Sequence, residues 1–397
     1  MRILMLSDVY FPRVNGVSTS IMTFREELER MGHEVVLVAP RYGVAGEEES
    51  EQVVRVPSSR VILDPEDRMM HWGALHEQLE TLWRERPFDL LHIHTPFVAH
   101  YAGVRWAKRH GIPCVETYHT FFEAYLHHYI PFMPRFVMRA MARRFSREQC
   151  NNVDGLVVPS TLMQAELGRY GVSVTSEVIP TGIELEEFST GDGLRFRATH
   201  GISPARPVLL YLGRVAFEKN IAFLLDMLVQ VLRDKPDTLL VVAGEGPAEK
   251  SLHERAKRLG LQNSVLFVGY LKRGPELLDC YKAADVFVFA SRTETQGLVL
   301  LEAMALGVPV VALSIMGTRD ILQPGSGALV PEDDVNDFAD EVLKLLRDEE
   351  LRKWLGAEGV QYVQNWKADR LAVRLDTFYS QIQQAYSSKG VLAGQTV

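Results

Sequence analysis

The sequence is poor in cysteine, holds no long apolar run and carries no excess of positive charge. Its three cysteines, Cys114, Cys150 and Cys280, are odd in number, scattered and never paired at metal-ligand spacing. That argues against a disulfide framework or a zinc cluster and for a reduced, cytosolic setting. No window reaches the roughly 18 uncharged apolar residues of a spanning helix, so membrane contact is expected to be peripheral. The opening run Met1 to Ser7 is too short for a signal peptide, is interrupted by Asp8, and reads as a first strand. A net charge of -8 excludes bulk nucleic-acid binding, which needs a basic face. Internal repeats and low-complexity tracts are absent, and the acidic run Gly46-Glu47-Glu48-Glu49-Ser50-Glu51 reads as a solvated loop.

What is present is apolar surface for more than one core: 397 residues, 47% of them hydrophobic, predict two domains of ordinary size. Short β-branched runs alternate with helical-period segments in both halves, the pattern of an α/β protein with parallel sheets covered by helices. Strands are expected at Ile3–Ser7, Val35–Ala39, Leu90–His94, Cys114–Tyr118, Gly155–Pro159 and Val178–Pro180. A second series is expected at Val208–Leu212, Leu239–Ala243, Leu266–Gly269, Val286–Ala290, Val308–Ala312 and Ala328–Val330. Two doubly wound, Rossmann-like domains fit this better than one sheet of twelve strands. The first is read as residues 1–182 and the second as 204–356, and 357–388 reads as a long helix able to pack back across them. Sites in such sheets lie at the carboxyl ends of strands, so a cleft between the two domains is the expected site.

The densest chemistry runs from Arg292 to Ala305. Glu294 falls on a loop, Gly297 opens an apolar helix, and Glu302 sits about one and a half turns into it. Free N–H groups at a helix start suit a phosphate, and Arg214 and Lys219, just after the strand Val208–Leu212, could supply matching cations. At about 4 Å and an effective dielectric near 20, one such contact is worth on the order of 4 kcal/mol before desolvation. The residues alone leave plainer readings open: solvated cations, and helix-end carboxylates favoured by the dipole. Gly16 follows the first strand on a turn that could meet a phosphate or be an ordinary turn. His119 ends another strand and could be structural. His92 and His94 share one face of a strand end, where packing or sugar-cleft lining is expected rather than a metal, since no Cys or acidic pattern completes a ligand set. Gly244-Glu245-Gly246-Pro247 suggests a dinucleotide fingerprint but has Glu249 where the third glycine belongs.

From Pro134 onward, Arg135, Arg139, Arg143 and Arg147 recur every four residues, along one helical stripe. Phe136, Val137, Ala140, Met141 and Phe145 occupy other faces, and Phe121, Phe122, Tyr125, Tyr129, Phe132 and Met133 precede them. This suits an anionic bilayer surface; the alternative is a solvated domain helix with its apolar side in the core.

Taken in order, Phe11-Pro12-Arg13-Val14-Asn15-Gly16-Val17, Thr117-Tyr118-His119-Thr120, Ile179-Pro180-Thr181-Gly182-Ile183, Leu212-Gly213-Arg214 with Glu218-Lys219-Asn220, Gly244-Glu245-Gly246-Pro247 and Glu294 to Glu302 resemble the motifs of the retaining glycosyltransferases of the GT-B fold, glycosyltransferase family 4. Within that family Tyr10-Phe11-Pro12, Asn15 to Ser18, Tyr118-His119-Thr120 with Tyr125 and His128-Tyr129, and Thr293 to Gly297 are most similar to the bacterial diacylglycerol α-glycosyltransferases. Many relatives carry a glycine where Asn15 stands and Gly-Phe-Gly where Thr295-Gln296-Gly297 stands.

The resemblance implies a nucleotide-sugar donor held by Gly16, Arg214, Lys219, Glu302 and the segment Thr295, Gln296, Gly297 and Leu298, with the base near Gly269 and Tyr270. It implies His119 and Glu294 beside the sugar, and front-face attack in which the departing phosphate takes the acceptor proton. No Asp-x-Asp pair of the kind that holds a metal–nucleotide in the other major glycosyltransferase fold is present, so no metal and no cofactor is expected. The expected activity is hexosyl transfer from UDP-glucose to a lipid hydroxyl such as diacylglycerol, at the cytoplasmic face of the membrane. The alternatives are GDP-mannose as donor, a soluble or glycan acceptor, or, as a different class, a UDP-sugar 2-epimerase. The sequence leaves the oligomeric state and the number of sugars added undetermined.

Overall fold

A computed structural model describes residues 1–44, 47–61, 67–119 and 135–394. The chain divides into two units, Met1–Gly182 with Ala368–Val397, and Ile183–Lys367.

The first unit contains β1 (Arg2–Leu6), β2 (Glu34–Pro40), β3 (Val53–Val56), β4 (Ser58–Arg60), β5 (Arg68–Met70), β6 (Leu90–Ile93), β7 (Cys114–Thr117), β8 (Gly155–Val158) and β9 (Ser176–Val178). Seven of these form a sheet in the order β3-β2-β1-β6-β7-β8-β9, in which every pairing is parallel, while β4 and β5 make a small antiparallel pair. Strand alternation sorts the apolar residues onto two faces. Ile3, Met5, Val35, Leu37, Leu90 and Val115 enter one core with the helix Gly16–Arg30. Leu4, Leu6, Val36, Val38, Leu91 and Ile93 enter another with the helices Trp72–Glu85 and Val98–His110.

The C-terminal helix Ala368–Gly394 belongs to the first of these cores, contributing Leu371, Leu375, Phe378, Tyr379 and Ile382. It crosses the start of β8 so closely that a Cβ on Gly155 would lie 2.8 Å from Ile382. The single helix expected over 357–388 is broken. Helix Glu349–Tyr362 ends in a short turn, Val363–Trp366, and a new helix begins at Ala368. At the break Trp366 O accepts a bond from Ile183 N at 2.9 Å, so the two passages of the chain between its units run side by side.

The second unit carries β10 (Val208–Leu212), β11 (Leu239–Ala243), β12 (Val265–Gly269), β13 (Val286–Phe289), β14 (Val310–Ala312) and β15 (Ala328–Leu329). Its sheet runs β12-β11-β10-β13-β14-β15, again all parallel, over a single continuous core.

β3 was hidden in the sequence because Arg55 splits its valines. The guanidinium is buried and donates to the carbonyls of Glu48, Pro40 and Phe11. The neighbouring acidic run is an exposed loop in its described part, pinned by local partners. Glu47 accepts from the amides of Tyr42 and Gly43, Glu48 pairs with Arg25 at 3.1 Å, and Glu49 pairs with Arg41 at 2.6 Å.

Candidate active site

In each unit the strand order reverses direction once, between β1 and β6 in the first and between β10 and β13 in the second. At such a point the loops leaving two adjacent strands turn to opposite faces and open a crevice at the carboxyl edge.

In the second unit Lys219 follows β10 and Glu294 follows β13, and the two meet there, Nζ to Oε2 at 2.6 Å with each side chain about 17% exposed. The loops are sewn together around them. Asn220, in a left-handed conformation, donates to Ala290 O at 3.1 Å, and Ser291 and Thr293 approach Glu218 O at 3.5 Å. On the far side Gly317 donates to Glu294 O at 2.9 Å and lies so near that a Cβ there would stand 1.8 Å from Thr295 O. Gly297, at φ 97, is the N-cap of the helix Leu298–Ala305; it has no side chain to cap the first amides, and its carbonyl accepts from Leu300 N at 3.0 Å. Thr295 and Leu298 are partly exposed there, whereas Gln296 is buried.

Glu302, in the second turn of this helix, is partly exposed and accepts a bond from the Tyr281 hydroxyl at 2.6 Å. Burial raises its pKa, against the lowering effect of that hydroxyl and of the Arg273 charge. Nothing in the sequence marked Tyr281, which lies in the helix Pro275–Lys282 ahead of β13. Arg214 is exposed on the loop after β10, whose shape is held by the Tyr211 hydroxyl donating to Arg214 O at 3.0 Å. Tyr270, just past β12, is exposed, with its amide 3.4 Å from Glu245 Oε1.

The glycines of Gly244-Glu245-Gly246 serve loop packing. A Cβ on Gly244 would fall 2.0 Å from Gly213 O, and one on Gly246 2.4 Å from Val215 O. Val215 N donates to Glu245 O and Ala248 N to Val215 O, which ties the loops after β10 and β11 together.

In the first unit Gly16 opens the helix Gly16–Arg30, capped by Asn15 Oδ1 accepting from Ser18 N at 2.9 Å. A Cβ on Gly16 would meet nothing within 4 Å. His119 lies two residues past β7, 3.3 Å through Nε2 from His94 Nδ1. His92 and His94 are both buried, and His92 bonds Thr117 and Tyr379. Burial pushes the His119 pKa down to about 4, and burial with the neighbouring His119 charge pushes that of His92 down to about 3, so both rings are neutral near pH 7. Among the described residues no group of three His, Cys, Asp or Glu side chains is placed to hold a metal.

The arginine stripe falls on the helix Arg135–Cys150. Arg139, Arg143 and Arg147 are exposed, and Met138, Ala142 and Ser146, on the adjoining face, are buried. Phe136 and Met141 are also exposed, at 75% and 56%. Arg143 lies over the Tyr170 ring, 5.2 Å from its centroid, and Arg147 packs against Gly171. The Arg135 side chain, Thr120 and the aromatic approach of Phe121, Phe122, Tyr125, His128, Tyr129, Phe132 and Met133 lie outside the described residues.

A family model matches the greater part of each unit. Residues 14–187 match Glycosyltransferase Family 4, and residues 194–361 match Glycosyl transferases group 1. The α-monoglucosyldiacylglycerol synthase of Streptococcus pneumoniae is 37% identical over 317 residues, 79% of this chain and 71% of that protein. The chain belongs to glycosyltransferase family 4. A GDP-mannose-dependent α-mannosyltransferase of Mycobacterium tuberculosis, 28% identical over 83% of this chain and 84% of its own, is a more distant relative of this glycosyltransferase. Among solved structures the sucrose-phosphate synthase of Thermosynechococcus elongatus superposes with a TM-score of 0.79, covering 97% of this chain and 100% of that one at 21% identity, a likeness of GT-B fold.

Proposed function

We propose that this glycosyltransferase moves a glucosyl residue from UDP-glucose to a lipid hydroxyl such as that of diacylglycerol, with retention at the anomeric carbon. The observation that carries the reading is the Lys219–Glu294 pair at the strand-order reversal, set beside the open first turn of Leu298–Ala305 with Glu302 farther along that helix. The diphosphate takes Lys219, Arg214 and the helix-start amides. Glu294, released from Lys219, takes the sugar hydroxyls, and Glu302 takes the ribose hydroxyls as a charge-assisted acceptor. Tyr270 lies by the base, and Gly16 lets the backbone of the first unit approach the phosphate. His119 contacts the sugar.

In the transfer the acceptor oxygen bonds to the anomeric carbon on the face from which the diphosphate oxygen leaves, and that oxygen takes the acceptor proton. The cations stabilise charge that grows only as the bond breaks, which is where stabilisation raises the rate. They meet that charge without a divalent ion. Phe136, exposed on the same face of the helix as Arg139, Arg143 and Arg147, supports peripheral docking on an anionic cytoplasmic leaflet, and among the described residues no helix is long and apolar enough to cross a membrane.

Relatives named for diacylglycerol glucosylation support the lipid acceptor, and the mannosyltransferase relative supports GDP-mannose as the second reading. Incubation with UDP- and GDP-sugars, with and without diacylglycerol liposomes, separates them by mass spectrometry. Liposome-dependent UDP release with an α-glucosyl lipid is expected. Turnover only with GDP-mannose or a soluble acceptor removes the glucose or the lipid assignment, and interconversion of free UDP-sugars would point to an epimerase.

A further inference from the structure

Three imidazoles stand in a row in the first unit, under the helix Ala368–Gly394. His92 Nδ1 is 2.5 Å from the Tyr379 hydroxyl and its Nε2 2.7 Å from Thr117 Oγ1, so both ring nitrogens are occupied. The His94 ring lies against it with centroids 4.0 Å apart, and its Nδ1 reaches His119 Nε2 at 3.3 Å. His94 and His119 lie nearly parallel, 25° between their planes.

A contact between two neutral imidazole nitrogens works with one proton, on one side or the other. His94 Nε2 decides which. It is buried and has no hydrogen-bond partner among the described residues. An orphaned buried N–H is rarer in proteins than an under-satisfied acceptor, which favours the tautomer that leaves Nε2 without a hydrogen. His94 therefore keeps its proton on Nδ1 and donates it to His119 Nε2. A neutral His119 accepting at Nε2 carries its own hydrogen on Nδ1.

We infer that His94 is a positioning residue which fixes His119 as the Nδ1–H tautomer, and that Tyr379, from the far end of the sequence, holds the row in register through His92. Given the reading above in which His119 contacts the transferred sugar, the ring nitrogen left to meet it is a hydrogen-bond donor. It binds a lone pair of a sugar oxygen and does not remove a proton from the acceptor. The low pKa values of His92 and His119 agree with neutral rings throughout the row.

Long-range nitrogen–proton NMR correlation on the full-length protein with 15N-labelled histidine, His119 being assigned from His119→Asn, reads the tautomer directly. Hydrogen on Nδ1 of His119 is expected, and hydrogen on Nε2 overturns the inference. His94→Leu should lower kcat by up to about tenfold, the worth of one neutral hydrogen bond, with little change in donor KM. His94→Asn, whose amide can stand near the lost Nδ1–H, should restore most of that loss. Equal losses in both variants would mean packing alone and would overturn it.

Tyr379→Phe keeps the ring and the helix packing and removes only the hydroxyl. It should shift the His92 and His94 nitrogen resonances and lower kcat by a smaller factor, and it serves if His94→Leu does not fold. Unshifted resonances would remove Tyr379 from the row. Absence of transfer with every donor would sink the proposed function, yet the tautomer would still be read from the spectrum.

Discussion

Replacing Lys219 by methionine removes one end of an ion pair that water barely reaches. At 2.6 Å and an effective dielectric near 20, the gross attraction is about 6 kcal/mol. Much of it only offsets desolvation, so the measurable quantity is the penalty of stranding Glu294. Fully buried pairs lose about 3–5 kcal/mol when one partner is removed, and this pair, still touched by solvent, should lose about 2 kcal/mol. At about 2–4 °C per kcal/mol, the melting transition of the second unit should fall by about 4–8 °C. Adding Glu294→Gln removes the stranded charge and should recover most of that loss. Differential scanning calorimetry on the wild type, both single variants and the double variant closes the cycle. Activity should part company with stability: the double variant folds well yet loses about 10²–10³ in kcat, because the cation facing the departing diphosphate is gone. Additive melting shifts, or a stable double variant that still turns over at the wild-type rate, would refute the pairing and its role together.

Tyr281→Phe leaves Glu302 without its hydroxyl donor and should raise donor KM by about tenfold, the worth of one charge-assisted bond, with kcat nearly unchanged in initial-rate assays; an unchanged KM would detach Glu302 from the nucleotide. Gly16→Val projects into open space, so its melting temperature should match the wild type while donor affinity by calorimetry falls; equal affinity would remove Gly16 from the site. Burial raises the Asp8 pKa to about 7, against hydrogen bonds from Ala99, Thr95 and Phe97 and the charge of His100. A folded pKa above the ordinary 3.8 means its contribution is fully present below 3.8 and is lost as pH rises to about 7, so Asp8→Asn should flatten that part of a denaturant-midpoint profile; an identical slope in the variant would refute the assignment. Changing Arg139, Arg143 and Arg147 together to glutamine should weaken co-sedimentation with anionic liposomes, whereas unchanged binding would leave the helix as an ordinary solvated one.

The sheets were legible because parallel strands buried on both faces read as unbroken apolar runs, and eleven of the twelve expected runs lie on strands; the twelfth, Val178–Pro180, meets the half-buried strand Ser176–Val178 at one residue. What escaped was polar structure held by tertiary partners. β3 is built around an arginine whose guanidinium finds three carbonyls, and the acids at 47–49 are paired with arginines from elsewhere in the unit. The break at Val363–Trp366 escaped because helical periodicity runs across it, while a backbone bond to Ile183 sets the turn. In the candidate site Lys219 and Glu294 could be picked out as residue types on loops, and the pairing between them depends on β10 and β13 being neighbours. Tyr281 and Tyr379 carried no signal at all, since a tyrosine in an apolar helical face reads as core.

The two units repeat one architecture and fill it with opposite chemistry. At the reversal in the second unit stand an ammonium, a carboxylate and an uncapped helix start, with a guanidinium on the same loop edge. At the carboxyl edge of the first stand a glycine turn open to a ligand and a row of neutral imidazoles whose charged forms burial disfavours. A nucleotide diphosphate needs charge, because two phosphates leave water on binding and gain more on departure. A sugar needs hydrogen-bond direction, because its hydroxyls are neutral and differ only in orientation. Under the proposed reaction the cations of the second unit therefore set how fast the bond to the nucleotide breaks, and the imidazole row of the first unit, together with Glu294, sets which hexose is accepted. Lys219→Met should slow every donor by a similar factor, whereas His94→Leu should change the ratio of kcat/KM between UDP-glucose and UDP-galactose. If Lys219→Met changed that ratio and His94→Leu did not, the division of labour would be the reverse.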